Sequence, residues 1–184
     1  MKRIAFTIFI FLNLICLNII CQNKETTATT LKETVEWMAG KINNVEYYSP
    51  QTKYYYHQKL EWDNEKKLIR ITHWLTLTPI SSRLNIVVFE FAPQNINKDN
   101  FKIKMIESGT RITYTCNNES RLIKTYVIEF DKEGKEFKKN EMMFYSDWIG
   151  LYPDAINSSP NLSDRFIKAF QHLIKLTGGK GEPF

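Results

Sequence analysis

The spacing of hydrophobic and polar positions changes several times along this chain. Ile4 to Ile20 is almost unbroken hydrocarbon, interrupted only by Thr7, Asn13, Cys16 and Asn18, with Lys2 and Arg3 ahead of it and Gln22, Asn23, Lys24 and Glu25 directly after Cys21. Residues 22–29 read as a loose polar leader. From Thr30 a period of 3.6 sets in. Leu31, Val35, Met38 and Ile42 fall on one stripe with Trp37 beside it, which predicts a helix. Thr30 and Glu33 have the spacing of a capping box, and Asn43-Asn44 ends the pattern.

From Lys53 to about Ser146 the period falls to two. Tyr54, Tyr56, Leu60 and Trp62 alternate with Tyr55, His57, Lys59 and Glu61. Asp63-Asn64-Glu65 then turns the chain into Leu68–Thr76, a hairpin. Leu84–Phe91 is apolar on both faces around Val87, which predicts a central strand that Pro93 stops. Further strands are predicted around Phe101–Met105, Arg111–Cys116, Leu122–Phe130 and Glu141–Tyr145, separated by the turns Ser108-Gly109, Asn117–Ser120 and Asp131–Lys135. Asp147–Ser159, which holds Trp148, Tyr152 and Pro153, reads as a loop. The closing segment predicts an amphipathic helix. Ser159 is its cap and Pro160 its first residue; Leu162, Phe166, Ala169, Phe170, Leu173, Ile174 and Leu176 form one face, and Gly178-Gly179 the C-cap. The predicted fold is α+β: an N-terminal helix, about seven antiparallel strands in a sheet or partly open barrel, and a C-terminal helix packed on it. Residues 30–184 form one domain in this reading.

The first 21 residues have the layout of a secretory signal peptide, with cleavage expected between Cys21 and Gln22. Two alternatives stay open. About 17 apolar residues is the lower limit for a retained membrane anchor. Cys21 could instead carry a lipid, although Ile20 stands where a lipoprotein signal places a small residue. Export changes the charge balance. Lys plus Arg falls from 25 to 23 when Lys2 and Arg3 leave, against 20 Asp plus Glu, so the mature chain carries a formal +3. That is a solvated surface, not the footprint of a nucleic-acid binder, and no nucleic-acid partner is expected. Cleavage also removes Cys16 and Cys21. Cys116 is then alone, which excludes an intramolecular disulfide, and it continues the apolar alternation of Ile112 and Tyr114.

The end of the chain carries a resemblance. Lys168-Ala-Phe-Gln-His-Leu-Ile-Lys-Leu-Thr-Gly-Gly-Lys180 resembles the C-terminus of small uncharacterised bacterial exported proteins that end in Lys-Ala-x-x-His-x-x-Lys-Leu-Cys-Gly-Gly-Lys. Thr177 stands at the place of the cysteine, and the match covers about twenty of the 184 residues. Seven strands closed by a C-terminal helix also resembles the pleckstrin-homology-like barrel in topology. Neither resemblance implies a catalytic residue or a cofactor.

The side chains that carry chemistry are sparse. His57, His73 and His172 lack zinc spacing, and there is no cysteine pair, so no metal site is expected. A turn near Asp63-Asn64 would pair residues whose numbers sum to about 127 or 128, which makes His57 and His73 near neighbours across the hairpin. No Gly-x-Ser-x-Gly elbow is present. Gly178-Gly179-Lys180-Gly181 follows a helix, whereas phosphate loops precede one. Glu90 lies in an apolar strand, where an outward-facing position is the ordinary expectation. The aromatics are the densest cluster. Alternation sends Tyr55 to the face opposite Tyr54 and Tyr56, so one set is free to form a platform. Tyr54, Tyr55, Tyr56 and Trp148 are therefore the candidate ligand-binding residues. The expected function is an exported, non-enzymatic binding or interaction module, periplasmic or extracellular, for a protein or small-molecule ligand, with no cofactor and no membrane span after cleavage. The alternative is a small envelope hydrolase using Glu90, His57 or His73 as acid or base.

The intact mass of the exported protein checks the processing step. A chain beginning at Gln22 without lipid is expected; a diacylglyceryl-modified Cys21 or an uncut chain overturns it.

Overall fold

A computed structural model describes residues 30–43, 45–78, 85–106, 109–117, 121–131 and 135–178. Residues 1–29, read above as signal and leader, most of the expected Asn117–Ser120 and Asp131–Lys135 turns, and residues 179–181 lie outside the described residues. The chain divides into two units, residues 1–33 and 34–184. Of the first, only the opening turn of helix α1 (residues 30–42) is described, and the expected capping box of Thr30 and Glu33 falls within it. All the strands and the C-terminal helix belong to the second unit.

The α+β reading holds: antiparallel strands follow an N-terminal helix and precede a C-terminal one, and the sheet is not closed. Among the described residues the strands number nine, where about seven are predicted, and they form two sheets. The larger has the order β1 (Glu46–Ser49), β2 (Tyr54–Asp63), β3 (Leu68–Thr76), β4 (Asn85–Phe91), β7 (Ile123–Phe130) and β8 (Glu136–Phe144). The smaller has the order β5 (Ile96–Ile106), β6 (Gly109–Cys116) and β9 (Ser146–Leu151). Two short helical pieces, a 3-10 turn at Pro93–Asn95 and α2 (Pro153–Asn157), precede β5 and α3 (Leu162–Leu176) respectively.

The first hairpin shows how local chemistry sets register. Asp63 Oδ1 accepts from the backbone N–H of Glu65 and Lys66 at 3.1 and 2.9 Å, and Lys67 takes a left-handed φ of 55°. The turn is therefore four residues wide and closes between Asp63 and Leu68. Paired numbers sum to 131 instead of 127 or 128, so Gln58 faces His73 and His57 faces Trp74. His57 and His73 consequently lie on opposite faces of the sheet.

β1 covers only residues 54–57 of β2. Beyond that point the edge is satisfied by the end of α1. Asn43 Oδ1 accepts from the Leu60 N–H at 2.7 Å and its Nδ2 donates to the Leu60 carbonyl at 3.1 Å, so one side chain replaces a ladder strand. The α1 stripe is buried at Val35, Met38 and Ile42.

β9 runs through the segment expected as a loop. Asp147 and Gly150 look like turn residues, yet their backbones pair with Tyr114 and Arg111 of β6. The cap of α3 also differs from expectation. The Leu162 N–H bonds the Ser159 carbonyl and Asn161 adopts φ 56°, so Ser159 and Pro160 belong to a turn and the helix starts at Leu162. Gly178, at φ 84°, ends it in the left-handed conformation expected there.

The α3 face predicted from the sequence is the one that docks: Leu162, Phe166, Phe170, Leu173 and Ile174 are buried. Phe170 stacks on Tyr114 of β6 at 5.4 Å and on Phe91 of β4 at 6.0 Å, and tilts against Phe101 of β5 at 5.5 Å. This cluster ties both sheets to the helix. Phe170→Ala removes a ring that is 1% exposed and is expected to cost about 3–5 kcal/mol, measured by urea unfolding. An unchanged midpoint would mean that α3 is not docked.

Candidate functional site

Strand alternation gives the smaller sheet two different faces. Thr110, Ile112, Tyr114 and Cys116 are buried on one, with Asp147, Ile149 and Leu151 as their partners on β9. Arg111, Thr113, Trp148 and Gly150 belong to the other. This second face turns toward the larger sheet. The Trp148 ring lies 4.6 Å from His73, and Gln58 Nε2 donates to the Gly150 carbonyl, capping the free edge of β9. Gly150 is closely packed: a Cβ there would sit 3.2 Å from the Trp148 ring, which would have to shift by a few tenths of an ångström, and in contact with Tyr152 at 3.5 Å.

Between the sheets, beside β1, is a cavity of about 790 Å³. Tyr47 and Tyr56 wall it from the larger sheet, Arg111 and Trp148 from the smaller, Met105 from β5, and Tyr152 from the link to α2. Tyr47 stacks on Tyr152 at 5.8 Å with 14° between ring planes, and leans on Tyr56 at 6.3 Å. The Arg111 guanidinium carbon lies 4.5 Å from the centre of the Trp148 ring. Arg111 Nε is buried, and so is His73 Nε2 behind Trp148; neither has a hydrogen-bond partner among the described residues.

Burial sets the electrostatics around this wall. His73 is pushed down to about 4, first by desolvation and second by the Arg111 charge, so it is a neutral imidazole at pH 7. Asp147, pointing away from the cavity on the Tyr114 face, is pushed up to about 8 by desolvation, which outweighs the opposing hydrogen bond from the Trp148 N–H. Desolvation also raises the Tyr114, Tyr152 and Cys116 groups.

Of the four predicted binding residues, the cavity brings together Tyr56 and Trp148. Tyr55 is on the opposite face of β2, against Tyr48 at 4.9 Å, and Tyr54 does not line the cavity. The residues of the acid–base alternative are dispersed. His57 stacks flat on Trp74 at 5.2 Å and lies 3.7 Å from Glu46 on the outer face, while His73 is on the inner face. Glu90, outward as expected, accepts from Arg70 Nη2 at 2.6 Å and Nε at 2.8 Å. Among the described residues no three His, Cys, Asp or Glu side chains gather closely enough to hold a metal ion. Arg111 went unselected in the sequence because an arginine alternating with Ile112 and Tyr114 reads as a solvent-facing strand residue. Tyr47 and Tyr152 sit in segments without periodicity, so nothing there signalled a shared wall.

No family model, no curated protein and no solved structure matches this chain.

Two of these shifted groups, Asp147 and His73, make stability depend on pH in opposite senses. Asp147 keeps in the folded state a proton that the unfolded chain releases above about 4, so stability is lost as pH rises toward 8. His73 refuses a proton that the unfolded chain binds below 6.5, so stability is lost as pH falls from 6.5 toward 4. Between about 4 and 6.5 the two slopes oppose one another. From 6.5 to 8 the Asp147 slope dominates and is expected to remove about 1–2 kcal/mol, from a limiting slope of roughly 1.4 kcal/mol per pH unit. Urea midpoints of the wild type and Asp147→Asn across pH 6.5–8 check this. The variant is expected to lack the Asp147 slope, and parallel profiles would overturn the assignment.

Proposed function

We propose that this chain is an exported, non-enzymatic module that holds a small-molecule ligand in the cavity between its two sheets. The cavity carries the reading: about 790 Å³, walled by Tyr47, Tyr56, Trp148 and Tyr152, it has the size and aromatic character of small-molecule sites. A concave site of this kind favours a small molecule over the protein ligand that the sequence left equally open. The non-enzymatic half rests on composition. Among the described residues neither His, Cys, Asp nor Glu lines the cavity, so the side chains that most often move protons near neutral pH are not at hand. Export rests on the pattern of residues 1–21, and places the module in a periplasm or outside the cell.

Native mass spectrometry of the mature chain, incubated with a small-molecule extract of the cell envelope, tests this. One bound compound at unit stoichiometry is expected, released chemically unchanged and lost or weakened in Trp148→Ala. Conversion of the compound to a product would overturn the non-enzymatic reading, and the absence of any adduct would overturn the binding one.

A further inference from the structure

We infer that the cavity takes an organic anion: a carboxylate, sulfonate or phosphate on an apolar or aromatic body, with the charged group on Arg111 and the body against Trp148 and Tyr56. This rests on the cavity being a ligand site. The first ground is the contrast between Arg111 and other cations of the fold. Arg70 is held by Glu90 at 2.6 Å, and Lys124 by Glu141 at 2.9 Å. Arg111 has no carboxylate partner among the described residues, although its Nε is buried. A guanidinium cannot shed its proton at any physiological pH, so it cannot escape desolvation by becoming neutral as His73 does. Leaving it unpaired costs free energy that an incoming anion would recover.

The second ground is geometry. The guanidinium lies over the Trp148 ring, which offsets part of the desolvation. Stacking engages the face of such a group and leaves its N–H fork for two oxygens of an anionic group. The third ground is charge. Lys104 adds a second cation to the lining, and no acid lines the cavity among the described residues. A cationic ligand would meet two like charges there, with no acid to offset them. A neutral one would leave Arg111 as it is. The aromatic walls supply the apolar contact that selects an anion with a body over a bare inorganic ion.

A matched pair of fluorescent probes tests this on the mature chain: 1-anilinonaphthalene-8-sulfonate and its uncharged parent N-phenyl-1-naphthylamine, which differ only in the sulfonate. In the wild type the sulfonate is expected to bind at unit stoichiometry. Arg111→Met is expected to weaken it about tenfold or more while leaving the neutral probe unchanged, and Arg111→Lys to weaken it less. Trp148→Phe is expected to weaken both. Retained binding of the neutral probe shows that Arg111→Met is folded. If neither probe binds the wild type, the cavity reading itself falls. If both bind, Arg111→Met changes neither and Trp148→Phe weakens both, the cavity reading survives and the anion inference falls. Sulfonate binding insensitive to both Arg111→Met and Trp148→Phe would place it on the exposed Met142–Tyr145 strip instead, and would also overturn the inference.

Discussion

Tyr114 is the residue through which the two sheets and the closing helix meet. It is fully buried, touches Phe91, Phe101 and Phe170, and faces Asp147 across the β6–β9 ladder. Its burial fixes more than the core. Side chains in a strand alternate, so once Ile112, Tyr114 and Cys116 occupy the buried face, Arg111 and Thr113 have only the other one. The same parity on β9 sends Asp147 with Tyr114 and Trp148 with Arg111. The cation and the indole of the cavity wall are thus placed by the packing of their neighbours. A one-residue slip of β6 would bury the guanidinium beside Phe170 and leave the cavity without its charge.

That arrangement has an energetic cost concentrated in one region. Gln58 Oε1, His73 Nε2, Arg111 Nε, Tyr114 Oη and Asp147 Oδ2 are all buried without hydrogen-bond partners among the described residues. They cluster on and around the smaller sheet, where polar groups are hardest to satisfy. Two of these groups lower the cost by titrating: His73 stays neutral and Asp147 holds its proton. Arg111 has no such route, and it is the one that lines the cavity. Unsatisfied polarity of this kind is expected where a fold keeps a site at the expense of stability.

The larger sheet behaves differently. Its outer face carries ion pairs in which each charge has a partner: Arg70 with Glu90, Lys59 with Glu61, Lys124 with Glu141. Edges in both sheets are managed by local devices: Asn43 caps β2 of the larger sheet beyond β1, and Gln58 caps β9 of the smaller. These side chains do what a further strand would do, so the sheet can stop without a closed barrel.

Much of this was legible in the residues alone. The 3.6-residue stripe that buries Val35, Met38 and Ile42, the apolar face of α3, the run of strands between the helices, the outward Glu90 and the buried Cys116 all follow from local periodicity, because each is decided by which side of a single element is apolar. The density of tyrosine and tryptophan drew attention to Tyr56 and Trp148. The rest depended on pairings between distant segments. β9 was hidden because Asp147 and Gly150 are turn formers by composition, and only the β6 ladder and the crowding at Gly150 make them strand residues. The hairpin register was off because Asp63 widens its turn through side-chain hydrogen bonds. The cavity could not be read at all: Tyr47, Arg111 and the Trp148–Tyr152 stretch come from three separate segments, and a wall between two sheets exists only once the sheets have packed. The sequence by itself determined which face of each element would be buried, since that is a property of spacing. Which buried faces would meet, and what gap they would leave around Arg111, was decided by tertiary packing.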